Sequence, residues 1–319
     1  MEVVPLINAW VPYILSPATT SGMAYVGPRL AVFVAAECAK EVGDCATMAF
    51  VLGALERLHA RFEDVTGFSP PLTQSFRGRL ICEVAHLPNA AGLAHHGRGG
   101  FAVGPAFLKE SLESFRGAPG AGFLHHVFGY EMFRNFIHPD VFTPPFKSCC
   151  ENDASWGWLN QGFVNICGCL CLSEGGIAGF SYFGQSSHAF RAGMEAQLLV
   201  YVLRRAGVGG AAVSWGDVWL RERLPWAPDT SLDNLYSGLL SVLFRMHGGS
   251  RFLSGFFRAV PLLSERCPIN VRDYHTAAEN IYLAACAGAG RDVWEFFEAL
   301  GWPPRRAPCC AAVGSMLSA

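Results

Sequence analysis

Apolar residues fall into two regimes along this chain. The run RLAVFVA over Arg29 to Ala35 is short, continuous and β-branched, as a buried strand requires, and RLICEV over Arg79 to Val84 reads as another strand. Between them Met48, Val51, Leu52, Leu55 and Leu58 recur at three- and four-residue steps, which predicts a helix over 44–62 capped by Asp44. A third strand is expected over Gly100 to Val103 after the GRGG turn, with His95 and His96 in the connection. Beyond about residue 105 the period becomes helical, over 107–115, 123–136, 158–172, 188–206, 230–246, 250–260, 274–287 and 293–300, and strand signals nearly vanish. The expected fold class is therefore α+β, a small mixed sheet with helices followed by a larger, mainly helical part. Its expected divisions are an irregular N-terminal arm over 1–28, an α/β upper subdomain over 29–115, a helical lower subdomain over 116–303 and a loose tail over 304–319. A cleft between the two subdomains is where a ligand would sit.

Composition narrows the functional classes. Hydrophobic residues make up 51% of the 319 and charged residues 16%, which excludes disorder and implies a deep core. A net charge of -2, with 24 Lys and Arg spread along the chain, offers no basic field for nucleic acid. The mean hydropathy of +0.26 raises the question of membrane insertion, but the longest apolar stretches fall far short of the roughly 20 residues of a span. Glu2, Pro5, Pro12 and Pro17 argue against a signal peptide in the opening segment. Among the 12 cysteines, Cys149-Cys150 and Cys309-Cys310 are adjacent, and Cys167, Cys169 and Cys171 alternate inside an apolar helix. Without any C-x-x-C they read as buried, reduced thiols, which favour a reducing, cytoplasmic setting. No G-x-S-x-G marks a serine nucleophile.

Two segments carry the candidate chemistry: Gly129 to Phe136 (GYEMFRNF) and Trp156 to Asn165 (WGWLNQGFVN). Together they resemble the two metal-site helices of the gluzincin zinc metallopeptidases, and the order of elements resembles the enhancin-like, mucin-targeting branch. In that superfamily the first helix carries H-E-x-x-H, two zinc-binding His on one face with a Glu that activates water, and the second carries W-L-N-E-G-F, whose Glu is the third ligand. The closing segments Ala277 to Gly288, Gly290-Arg291-Asp292 and Phe296 to Pro303 resemble the end of the same branch, so the likeness covers roughly 29–303. It implies a zincin-like fold.

The ligand positions depart from the family pattern. Tyr130 and Arg134 stand where the two His would be and Gln161 stands at the third-ligand position, whereas Glu131 keeps the general-base position. A guanidinium has no lone pair to donate and repels a dication, so no zinc is expected at this place. Glu131 and Arg134 lie three apart on one helix and can pair, putting a fixed cation where a metal would be. With Gln161 they form a polar buttress between the helices, or, joined by Trp158 and Asn160, a binding set for a peptide or glycoprotein. Trp156, Trp158 and Phe163 read as core or as a sugar platform. The reading that follows is a non-catalytic relative of a gluzincin domain without cofactor. Its alternative is an active zinc metallopeptidase with Glu131 as base and a relocated ligand set of His95, His125 and His126.

Overall fold

The computed structural model describes residues 1–11, 18–43, 45–73, 75–94, 99–147, 155–174, 180–182, 184–219, 223–266 and 273–302. The protein is mixed α+β, with a seven-stranded sheet and a larger helical portion. The strands of the sheet are β1 (Glu2–Val11), β2 (Ala18–Val26), β3 (Leu30–Ala35), β4 (Ser75–Phe76), β5 (Arg79–Val84), β6 (Gly92–Ala94) and β7 (Phe101–Val103). The helices are α1 (Ala39–Val42), α2 (Met48–Thr66), α3 (Pro105–Gly117), α4 (His126–Arg134), α5 (Pro139–Phe146), α6 (Ser155–Glu174), α7 (Ser187–Arg205), α8 (Trp215–Val218), α9 (Asp233–Met246), α10 (Ser250–Arg266), α11 (Tyr274–Ala289) and α12 (Trp294–Ala299). No helix among the described residues is long and apolar enough to cross a membrane.

The chain divides into two compact units, one of 1–64, 68–137 and 167–187, the other of 65–67, 138–166 and 188–319. In the first, the sheet runs in the order β1-β2-β3-β5-β7-β6, with β4 paired to β5. The β3-β5 and β5-β7 pairs are parallel, which demands crossovers, and α2 supplies the first of them. The periodicity read from the sequence fits these central elements. The described residues within 1–28 differ from the irregular arm expected there, because β1 and β2 pair antiparallel and extend the sheet. Pro5 is tolerated because β1 is the outermost strand, where a missing N–H breaks no ladder. Asp44, the expected cap of α2, and the tail from 303 lie outside the described residues, and α2 begins at Met48.

A carboxylate on α2 fixes the entry to β3. Glu56 accepts the backbone N–H of Arg29 at 2.9 and 3.2 Å and that of Leu30 at 2.9 Å. Glu56→Ala should therefore lower stability by about 2 kcal/mol, the cost of hydrogen bonds to a charged group, as measured by urea unfolding. An unchanged midpoint would mean that water replaces the carboxylate without loss.

The second unit has its own core. Phe142 and Phe146 of α5 pack against Phe257 and Phe256 of α10 at ring separations of 5.6 and 6.4 Å, the second pair stacked. Helices α10 and α11 meet through glycine: a Cβ on Gly288 would lie 2.6 Å from the Phe252 carbonyl oxygen, and one on Gly255 2.7 Å from that of Ala287. Indole and phenol groups find carbonyl acceptors, Trp302 Nε1 donating to Ala278 O at 2.8 Å and Tyr201 OH to Leu300 O at 2.6 Å.

Candidate functional site

The site is built where α4 lies against the short strand β6, which ends the sheet. Gly92 makes the approach possible, because a Cβ there would sit 2.6 Å from both Glu131 Cγ and Val127 Cγ2. One helical turn sets Tyr130, Glu131 and Arg134 together, as their spacing implies. Arg134 Nη2 donates to Tyr130 OH at 2.9 Å, and its guanidinium lies over the Tyr130 ring, 4.7 Å from the centroid. Arg134 Nη1 donates to Ala94 O at 3.2 Å and stands 3.5 Å from Glu131 Oε2. Glu131 is 4% exposed, and burial pushes its carboxyl up to about 7, against the opposing pull of Arg134 and of the Ala94 backbone N–H. The trio is thus a polar brace between helix and edge strand.

Asn135, which the sequence reading passed over, completes the brace. Fully buried just past α4, it donates to the carbonyls of Glu131 and Met132 and accepts the Gly100 N–H at 2.7 Å, holding the approach to β7. The signal available in the sequence was an Asn set between Phe133 and Phe136. The helix expected over 123–136 is shorter at both ends: α4 runs from His126 to Arg134, and His138 is the N-cap of α5, with Pro139 in its first turn.

The other residues of the expected binding set, Trp158, Asn160 and Gln161, lie on α6. Asn160 and Gln161 stand on the segment of α6 that belongs to the second unit, Asn160 buried and Gln161 half-buried; the side chain of Trp158 lies outside the described residues. The letters around them serve packing. Gly162 lies so close to α9 that a Cβ would be 2.5 Å from Tyr236 Cβ, Ser237 Oγ donates to Gly162 O at 3.1 Å, and Asn165 Nδ2 donates to Asp233 Oδ2 at 2.7 Å. Phe163 meets Phe256 edge-on at 5.4 Å, which makes it core. Farther along α6, within the first unit, Gly168 touches Gly129 backbone to backbone, a Cβ on it lying 3.3 Å from the Gly129 carbonyl carbon. Cys167 and Cys171, one helical turn apart, are both buried.

A zinc ion does not fit the trio, since its most prominent nitrogen groups form a guanidinium with no lone pair. Of the alternative ligands, His95 lies outside the described residues. His125 is the N-cap of α4, its Nδ1 accepting the Val127 N–H at 3.2 Å, and its ring packs on Phe107 at 4.3 Å. Burial pushes its pKa down to about 4. His126 is buried with its ring 5.8 Å from that of Tyr130. Among the described residues no group of three His, Cys, Asp or Glu side chains could hold a metal ion. A raised pKa alone does not mark the site: Glu83 on β5 is also pushed up to about 7, by burial and by the charge of Glu37.

The chain matches no protein-family model and no curated protein. Two crystal structures are similar to it in fold, both of a functionally unknown conserved protein from Bacillus anthracis, one of them a mutant. The mutant structure superposes with a TM-score of 0.57 and the other with 0.55, at 11% sequence identity in each case. Each match covers 92% of this chain and 51% of the other, so the chain spans about half the length of these structures.

Proposed function

We propose that this chain is a non-catalytic relative of gluzincin metallopeptidase domains, which holds an extended peptide or glycoprotein segment at the β6 edge instead of cleaving it. The observation that carries the reading is the Glu131–Arg134–Tyr130 brace: a fixed ion pair occupies the helical face on which H-E-x-x-H would present zinc ligands. Pairing with β7 is antiparallel, so the strand alternates; Ala94 turns its N–H and C=O towards the brace, and Gly92, two residues away, turns its own the same way. An added strand would pair at Gly92, with main-chain hydrogen bonds supplying affinity. The active-peptidase alternative has weaker support, because the His125 Nδ1 lone pair is committed to capping α4.

The test has two arms. After dialysis the protein should carry well below one zinc per chain, and EDTA should leave its melting temperature unchanged. Excess of an alternating Thr–Val peptide should slow amide exchange at Gly92 without being cleaved. Chelator-sensitive cleavage would establish the active-peptidase reading instead, and unchanged exchange at Gly92 would remove the ligand from the proposal.

A further inference from the structure

The second unit holds a pocket of about 390 Å³ between the C-terminal end of α9 (Met246, His247) and the segment from Arg291 into α12. That volume suits a small molecule. Arg291 and Glu295 line it with opposite charges, and neither forms an ion pair with the other or with any group among the described residues. Asp292 is differently employed: its Oδ1 accepts the Tyr282 hydroxyl and, at 2.8 Å, the Trp294 N–H, so it serves the turn into α12. Burial and the neighbouring Arg291 hold His247 below its ordinary pKa, which makes it a neutral wall at pH 7. Trp294 and Phe296 contribute aromatic surface, and Met246 is 54% exposed.

We propose that this pocket binds a zwitterion of the α-amino-acid class, its carboxylate on Arg291, its ammonium on Glu295 and its side chain against Trp294 and Met246. A simple anion would meet the Asp292 and Glu295 carboxylates, and a simple cation would meet the guanidinium. Only a dipolar ligand satisfies both unpaired charges, and each mismatch penalises a competitor. The proposal does not depend on the peptide-binding reading of the first unit.

Calorimetric titration of the full chain with millimolar L-leucine, L-phenylalanine and L-glutamine tests it. At least one should bind at one per chain, and its amide, which lacks the carboxylate, and its N-acetyl form, which lacks the ammonium, should each bind at least about tenfold more weakly, roughly the weight of one charge-assisted hydrogen bond. Arg291→Ala and Glu295→Gln, both at exposed positions, should reduce affinity by a similar factor with unchanged melting temperature. No binding by any of the three overturns the proposal. So does equal binding of the N-acetyl form, which would make this an anion site, or of the amide, which would make it a cation site.

Discussion

Arg134→Ala should cost about 3 kcal/mol at pH 8 and about 1 kcal/mol at pH 5. At pH 8 Glu131, with its carboxyl pushed up to about 7, is mostly ionised, and Arg134 is the cation beside it. Removing that cation leaves a carboxylate that is 4% exposed without a counter-charge, a loss usually worth about 3 to 5 kcal/mol. The lower end applies because the carboxyl can escape by taking a proton. At pH 5 it already carries one, so the variant loses only the hydrogen bonds of Arg134 to Ala94 O and Tyr130 OH. Urea unfolding at the two pH values separates the cases. An equal cost at both would show that Arg134 acts by packing and not as a counter-ion.

Glu83→Gln should raise stability at pH 8 by up to about 3 kcal/mol while changing little at pH 4. The Glu83 carboxyl moves from its ordinary 4.5 to about 7, burial being the larger cause and the Glu37 charge the smaller. Because the folded pKa is the higher one, the favourable contribution of the protonated form is complete below about 4.5. It is lost as pH rises through about 7, at roughly 1.4 kcal/mol for each pH unit that separates the two values. Glutamine keeps the shape and never ionises. A variant less stable than the parent at pH 8 would mean that the ionised Glu83 has a favourable partner that outweighs its burial.

Period decided what could be read from the sequence. Strands β3 and β5 follow from short apolar runs, helices α3 and α4 from apolar residues at helical spacing, and Glu131 and Arg134 from a three-residue step on one helix. Strands β1 and β2 were hidden because Pro, Thr and Gly look like loop composition, although β1, the sheet edge, accepts Pro5 and β2 pairs on both sides. The three residues of β6 are too few to show a period, and the carbonyl of Ala94 lies 40 residues from Arg134, beyond the reach of helical spacing. The end of α4 at Arg134 was masked by Phe136, which is buried and continues the apolar pattern past the end of the helix. Around Gln161 the neighbouring letters were legible as a motif, yet Gly162, Phe163 and Asn165 are explained by contacts with α9 and α10. A signature made mostly of packing residues reports on scaffold more than on chemistry.

The glycine contact between α10 and α11 also bears on the cost of occupying the Arg291 pocket. Gly288 sits three residues before Arg291 and lies under Phe252, whose ring is 6.2 Å from that of His247. Backbone packed on backbone has no rotamers to exchange, so the two walls are fixed to one rigid junction before any guest arrives. A guest would surrender its own tumbling and little of the protein's conformational entropy, which lets a molecule of few atoms retain more of its contact energy as affinity.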